Sequence, residues 1–138
     1  MNISMTIVFA IIVIHYVADF IFQAEEWATN KSKNNAALFK HVLTYSTIWA
    51  LPACVILGNL RPGETTEWYV YSTLLFFILT FLSHFITDYI TSRIVSKRFA
   101  DKYYGSPIPN LGAFSIIGFD QVLHYGQLFL TIYLLTDK

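Results

Sequence analysis

Four long apolar stretches constrain the fold of this sequence more than any other feature. They cover residues 3–22, 38–58, 68–90 and 115–135. A membrane-spanning helix needs about 20 predominantly apolar residues, and each stretch meets that requirement. Hydrophobic residues make up 55% of the 138 residues and charged residues only 13%, which is more apolar surface than a water-soluble domain of this size can bury. The sequence therefore predicts an all-α integral membrane protein.

The connections between the predicted spans set their packing and orientation. They are short, so residues 1–138 are expected to form one membrane domain, an antiparallel bundle of four transmembrane helices. Seven basic residues lie at the connections on one side: Lys31, Lys33, Lys40, Arg93, Lys97, Arg98 and Lys102. The opposite side has two, Arg61 and Lys138. By the positive-inside rule, the seven face the cytoplasm and both termini face away from it.

Polar side chains interrupt the predicted spans in a repeated pattern. Every histidine and three of the aspartates lie inside the spans, namely His15, Asp19, His41, His84, Asp88, Asp120 and His124. In three spans a histidine and an aspartate are four residues apart, which places them on one helix face with Cβ atoms about 5–6 Å apart. At about 1.5 Å per residue from the helix ends, all seven groups lie at nearly one depth, close to the cytoplasmic face. The spacing therefore predicts a single polar cluster.

Histidines, Lys40, a metal ion or protonation could each compensate the carboxylates of this cluster, and a metal ion is the compensation that we expect. An ionised aspartate at mid-membrane costs about 2.5–3.5 kcal/mol on insertion scales. Histidine and carboxylate ligands suit zinc, manganese or iron. The predicted ligands are His15, Asp19, His84, Asp88, Asp120 and His124. His41 is predicted to be a further ligand or a catalytic acid or base, and Lys40 a catalytic residue at the rim. Gln23 and Gln121 are predicted to orient substrate.

Three functions are compatible with the predicted cluster. A cytoplasm-facing metal site favours metal-assisted hydrolysis of a membrane lipid or another small ester or phosphate ester. The same side chains could instead form a His/Asp relay for proton or cation transport. They could also bridge helices in a structural or partner-binding membrane protein. The zero net charge gives no reason to expect a nucleic acid partner, and the apolar surface would allow a homodimer.

The combined motifs resemble a family of small bacterial and phage multi-span membrane proteins described as a domain of unknown function. The motifs that carry the resemblance are His15-x-x-x-Asp19-Phe-x-x-Gln23, Trp27, Lys31, His41-x-x-x-Tyr45, His84-Phe-x-x-Asp88-Tyr and Asp120-Gln121-x-x-His124. The resemblance implies a bacterial or phage origin and a multi-span membrane protein, and it implies no activity. We expect the protein in the bacterial inner membrane. The chain is more loosely similar to small inner-membrane proteins labelled metal-dependent hydrolases, although it lacks their His-Arg…Thr-His-Ser signature.

Overall fold

The computed structural model of the protein describes residues 3–101 and 111–137. Within these two ranges the chain is helical and contains no β-strand, which confirms the predicted all-α class. The α-helices found there are α1 (Met5–Tyr16), α2 (Glu25–Asn30), α3 (Asn35–Leu60), α4 (Thr66–Ile90), α5 (Ser96–Ala100) and α6 (Leu111–Thr136). A first π turn, Val17–Ile21, follows α1, and a second, Thr91–Val95, joins α4 to α5.

Side-chain caps fix where the two central helices begin. The amide oxygen of Asn34 accepts a hydrogen bond from the main-chain nitrogen of Ala36 at the start of α3. The hydroxyl oxygen of Thr65 accepts one from the main-chain nitrogen of Trp68 at the start of α4. Caps of this kind stabilise a helix by about 1 kcal/mol. Gly63, with a φ of 87°, lets the chain reverse direction between the two helices, which pack against each other as a hairpin.

The third helical segment continues beyond the predicted span of residues 68–90. The chain remains helical from α4 through the second π turn and α5, so the segment ends only at Ala100. No glycine or proline occurs between residues 91 and 100 to terminate the helix. Lys97 and Arg98 can extend their charged ends into water while the backbone stays helical. Hydropathy therefore marked the end of the apolar surface and not the end of the helix.

The long helical segments pack around one interior that has an apolar half and a polar half. α3 packs against α4, α4 packs against α6, and α1 contacts both α3 and α6. The apolar half lies toward the α3–α4 turn and is centred on Trp49, whose ring centroid is 6.4 Å from that of Tyr45 and 5.8 Å from that of Phe76. The buried histidines and aspartates occupy the other half of the interior.

Contacts between distant residues identify the two ends of this bundle. At one end, Arg61 donates a hydrogen bond to the main-chain oxygen of Thr136 at 3.2 Å. At the other end, Arg93 donates to the main-chain oxygen of Lys31 at 3.0 Å. The basic residues Lys31 and Arg93 therefore share the end that carries the polar cluster. Two other residues used to predict the orientation lie outside the described part of the chain, Lys102 and Lys138.

Two helical segments, Asn35–Leu60 and Thr66–Arg98, are long and apolar enough to cross a membrane. The segment Met5–Ile21 is apolar but shorter than a typical span. Helix α6 has sufficient length, but its hydropathy is lowered by four polar side chains, those of Asp120, Gln121, His124 and Gln127. The four-span arrangement therefore stays a prediction, with two of its helices supported by length and composition.

Candidate metal centre

Both His-x-x-x-Asp motifs lie where an α-helix meets a π turn. His15 is in the last turn of α1 and Asp19 lies within the first π turn. His84 and Asp88 are in the last two turns of α4, directly before the second π turn. π turns are rare and occur frequently at functional sites, because they change the direction in which side chains point. All four side chains are buried in the bundle interior.

The imidazole of His41, near the start of α3, faces three polar groups at once. Its Nε2 atom lies 3.2 Å from Asp19 Oδ1 and 3.1 Å from Asp88 Oδ2. The Nε2 atom of His84 is also only 3.1 Å away. One imidazole nitrogen carries either one hydrogen or one lone pair, so it cannot satisfy three such contacts. Ligand atoms that bind one metal ion at about 2.0–2.2 Å are about 3.3–3.6 Å apart in tetrahedral geometry and about 2.8–3.1 Å apart in octahedral geometry. The atoms around His41 have the spacing of ligands about a shared ion.

A second convergence of donor atoms is centred on His124 in α6. Its Nε2 atom lies 3.3 Å from Asp88 Oδ1 and 3.3 Å from Asp120 Oδ2. Its Nδ1 atom lies 3.3 Å from Gln127 Oε1. The orientation of the Gln127 amide is fixed because its nitrogen donates to the main-chain oxygen of Ser83, which can only accept. The Gln127 oxygen therefore accepts a hydrogen bond from His124 Nδ1. In a neutral His124 the other ring nitrogen, Nε2, then carries a lone pair that points at two carboxylates.

Asp88 connects the two convergences through its two oxygens. Oδ2 lies 3.1 Å from His41 Nε2 and 3.6 Å from His84 Nε2, whereas Oδ1 lies 3.3 Å from His124 Nε2. Asp19 also belongs to two groups of possible metal ligands, one with His41 and His84 and the other with Asp120 and His124. Within each group the ligand atoms lie within 4.8 Å of one another. A carboxylate with this geometry can bridge two ions separated by about 3.5–4 Å, as in two-metal hydrolytic sites.

Unpaired buried atoms provide a test of whether a metal ion fits the cluster. Among the described residues, Asp19 Oδ1 and His124 Nε2 are two of nine buried side-chain atoms that have no hydrogen-bond partner. Unsatisfied buried polar atoms are uncommon in native proteins, and an ion is one of the accepted explanations. A divalent cation between the imidazoles and the carboxylates would satisfy both atoms. The buried histidines and aspartates thus form groups that could hold a metal ion.

His15 is held by hydrogen bonds beside the donor groups. Its Nε2 atom lies 2.6 Å from Gln121 Oε1, and its Nδ1 atom lies 2.8 Å from the Tyr45 hydroxyl group. The Gln121 amide nitrogen donates to Asp19 Oδ2 at 3.1 Å, so its oxygen accepts from His15. Both ring nitrogens of His15 are therefore satisfied, and Nε2 is 3.9 Å from the Asp19 carboxylate. The structure places this predicted ligand where it orients Asp19 through Gln121.

Lys31 supplies a cation at the mouth of the cluster. Its Nζ atom lies 2.9 Å from Asp88 Oδ2, and only 18% of its side chain is exposed. Burial by itself would lower the pKa of this ammonium group, but the carboxylates of Asp88 and Asp19 raise the pKa above its usual value. The hydrogen bond from Arg93 to the main-chain oxygen of Lys31 fixes the loop that carries it.

An open cavity of about 250 Å³ leads from the carboxylates of the cluster to the surface. Lys31 and Gln23 line its polar side, and the Oε1 atom of Gln23 is buried without a hydrogen-bond partner among the described residues. Phe20, Ile116 and Ile117 form an apolar wall. The cavity therefore gives a small molecule of mixed polarity access to the candidate metal ligands.

A comparison with known protein families gave a match that covers nearly the whole chain. A family model described as "Protein of unknown function (DUF3307)" matches residues 7–137. The chain belongs to this family. No curated protein and no solved structure matched the chain. Every histidine and aspartate of the cluster falls within the matched region, so the candidate centre is part of the DUF3307 domain.

Lys40 and His41, both predicted to act in catalysis, lie in different surroundings in this DUF3307 member. Lys40, predicted to be catalytic at the rim, is exposed on α3 and is not among the residues that line the cavity. Consecutive residues of an α-helix point about 100° apart, so Lys40 faces outward while His41 faces inward. Lys31 occupies the rim position that was expected for Lys40. His41 lies among the donor atoms, which favours a ligand over a catalytic acid or base.

Sequence reasoning missed three residues that contact the cluster. Thr91 donates a hydrogen bond from its hydroxyl group to Asp120 Oδ1 at 2.6 Å, and Gln127 contacts His124. Gln127 follows His124 by three residues, and Thr91 follows Asp88 by three, so helical spacing could have indicated both. In the sequence Lys31 is a determinant of membrane orientation and part of the family motif, but its contact with Asp88 is not predicted, because it joins the turn after α2 to helix α4, 57 residues away.

Proposed function

We propose that this protein is an integral membrane metalloprotein whose four spans hold the metal centre near the cytoplasmic face. Two helices have the length and composition of spans. Large apolar side chains are exposed on every long segment, among them Phe9, Leu51, Leu82 and Leu130. So much exposed apolar surface is expected against lipid and is rare on water-soluble monomers. The basic residues beside the cluster favour a cytoplasmic location for it, with both termini across the membrane. The resemblance to bacterial and phage membrane proteins favours a bacterial inner membrane.

The observation that carries the metal proposal is the set of imidazole Nε2 atoms that face carboxylate oxygens and one another at 3.1–3.3 Å. These contacts outnumber the imidazole hydrogens that could fill them, since one Nε2 atom faces several partners and carries at most one hydrogen. Lys31 contributes a single positive charge against three carboxylates. Divalent cations supply the remaining charge and the correct spacing. The ligands that we propose are Asp19, His41, His84, Asp88, Asp120 and His124.

The division of these ligands into overlapping groups supports a centre with two ions. Asp19, His41 and His84 would hold the first ion, and Asp120 and His124 the second. Asp88 would bridge the two, because its oxygens face opposite groups. We propose zinc, manganese or iron, which all accept histidine together with carboxylate ligands.

Hydrolysis of an ester is the activity that we propose for this centre. Divalent ions polarise an ester or phosphoryl oxygen and lower the pKa of a coordinated water. In the reaction the oxygen of water bonds to the carbonyl carbon or phosphorus, the bond to the alcohol breaks, and the proton of water passes to the alcohol. The open cavity that ends at Asp88 and Asp120 gives both reactants access to the ligands.

A proton or cation relay is less well supported by the interior of the bundle. On the side away from the cavity, the cluster meets Tyr45, and the apolar core follows with Trp49, Phe76, Leu128 and Ile132. A conduit would need a path of polar groups or water through this layer. Among the described residues, the cavity is lined by Asp88 and Asp120 at the end of the cluster away from this core, which fits a binding site. His84-dependent proton flux into liposomes would favour the relay instead.

Metal-dependent hydrolysis by the purified protein tests the proposed activity. Protein in detergent is stripped with a chelator, reloaded with zinc, manganese or iron, and assayed on p-nitrophenyl esters and phosphate esters. We expect turnover only after reloading, a loss of at least about 100-fold in His84→Ala, and an unchanged rate in Lys33→Gln, which alters an exposed lysine. Equal rates before and after reloading would contradict the mechanism.

A further inference from the structure

We propose that the cavity binds a phosphate monoester carried on an apolar chain, and that Lys31 pairs with its phosphate once a metal ion has taken over Asp88. This inference rests on the proposed metal centre and adds the chemical class of its substrate. The observations that support it are the charge of the cluster, the position of Lys31 and the two kinds of cavity wall.

The formal charge of the loaded centre favours an anionic ligand. Three carboxylates carry three negative charges, whereas two divalent ions and Lys31 carry five positive charges. The centre is therefore left with an excess of two positive charges in largely buried surroundings. A phosphate monoester carries about −1.5 to −2 charges at pH 7, which balances this excess. A neutral carboxylic ester would contribute no negative charge of its own, and charge that is left unbalanced is costly to bury.

Lys31 is positioned to exchange one anionic partner for another. Its ammonium group now pairs with Asp88 Oδ2, the same oxygen that lies 3.1 Å from His41 Nε2. A metal ion bound to that oxygen would repel the ammonium group and neutralise the charge with which it pairs. Lys31 lines the cavity, and Arg93 fixes its main chain at the mouth, so the released charge would stay beside the substrate.

The walls of the cavity match the two parts of an amphipathic phosphate. The buried Oε1 atom of Gln23 is an acceptor without a partner among the described residues, and it could accept from a hydroxyl group of the ligand. Phe20 and Ile117 lie on the apolar wall and are 43% and 49% exposed, so this wall continues onto the outer surface of the bundle. In the proposed topology that surface meets lipid, where an apolar chain would be accommodated.

Binding of an inert ligand to the metal-loaded protein tests this inference. The first probe is a phosphonate analogue of dioctanoyl phosphatidic acid, whose P–C bond cannot be hydrolysed. The second has the same phosphonate group without acyl chains, and the third is dioctanoylglycerol. We expect Lys31→Gln to weaken binding of the first probe by about 10- to 100-fold, as for the loss of a charge-assisted hydrogen bond. Lys31→Arg should retain most of the affinity, and Lys33→Gln should retain all of it.

The metal content of the same samples separates the possible failures. If wild type and Lys31→Gln both hold metal and bind the lipid phosphonate equally, the role of Lys31 is wrong while the metal centre stands. Equal binding of the lipid probe and the probe without acyl chains would assign the cavity to a soluble phosphate ester and overturn the amphipathic part. Dioctanoylglycerol binding as tightly as the phosphonate would overturn the phosphate part. Wild-type protein without metal would overturn both this inference and the proposed function.

Discussion

His15 and His124 show how hydrogen bonds give different roles to histidines in similar motifs. Each lies four residues from an aspartate in its own helix. The nitrogens of His15 are both satisfied, by Tyr45 and Gln121. Nε2 of His124 faces two carboxylates, and a hydrogen bond to Gln127 holds the opposite side of its ring. We interpret His124 as a metal ligand and His15 as a residue that positions Asp19.

Alanine substitution of these two histidines should therefore change metal binding differently. We expect His124→Ala to remove about one equivalent of metal, because a two-ion centre would lose a direct ligand. His15→Ala should keep the metal stoichiometry and weaken the affinity by about 10- to 100-fold, as is typical when a group that orients a ligand is lost. Titration with a chelator, combined with elemental analysis, measures both quantities. Loss of an ion in His15→Ala, with none lost in His124→Ala, would reverse the assignment.

Substitution of Lys40 is predicted to leave metal binding and hydrolysis nearly unchanged. Because the side chain is exposed on α3 and does not line the cavity, Lys40→Gln should leave metal content unchanged and the hydrolytic rate within about twofold of wild type. Steady-state kinetics on the reloaded protein checks this expectation. A tenfold lower rate would restore Lys40 to the site, as the sequence predicts from its position beside His41.

The sequence predicts which residues are candidate ligands better than it predicts how they are arranged. The four-residue spacing of His84 and Asp88 places both on one helix face. Because the polar residues of all four predicted spans lie at nearly the same depth in the membrane, the sequence also predicts that they form one cluster. The π turns could not be foreseen, since they depend on how the helix ends pack in three dimensions. In the first π turn, Asp19 turns toward His41, with Oδ1 at 3.2 Å, and lies farther from His15, with Oδ2 at 3.9 Å. For that reason the sequence predicts His15 as a ligand and leaves His41 either a ligand or a catalytic acid or base.

Within helix α3, the apolar half of the interior has a separate stabilising role. Trp49 is fully buried and packs against Tyr45 and Phe76. Trp49→Ala should lower the free energy of unfolding by about 3–5 kcal/mol, because it removes a large buried side chain and leaves a cavity. Leu51 on the same helix is 75% exposed, so Leu51→Ala is a matched control with a small expected effect. Thermal unfolding in detergent compares the two variants, and similar shifts in Tm would show that Trp49 does not anchor the bundle.

The complete chain combines an exposed apolar surface with a buried polar cluster at one end. Composition and hydropathy predicted the helical class, and the structure agrees with it. Polar residues of α6 contribute to the candidate centre, and the same residues reduce its resemblance to an ordinary span. Hydropathy alone therefore cannot establish whether α6 crosses the membrane, since a helix that carries site residues is less apolar than one that only anchors.

Cysteine labelling of the assembled protein tests the proposed topology. In a Cys54→Ser background, Pro62→Cys lies in the α3–α4 turn and Lys33→Cys lies at the end that carries the cluster, and both native residues are exposed. We expect a membrane-impermeant maleimide to label Pro62→Cys in spheroplasts and Lys33→Cys only in inverted vesicles. Labelling of both positions from the same side would exclude the proposed arrangement of α3 and α4.

The metal stoichiometry of the purified protein is the most direct test of the candidate centre. After reconstitution with zinc, manganese or iron, elemental analysis should find about two equivalents in wild type, as for a bridged two-metal site. Asp88→Asn, which nearly preserves shape while removing the bridging charge, should bind at most one equivalent and keep its helical circular dichroism. Wild-type protein that binds none of the three metals would contradict the metal centre and leave the histidines and aspartates as a hydrogen-bonded network neutralised by Lys31 and protons.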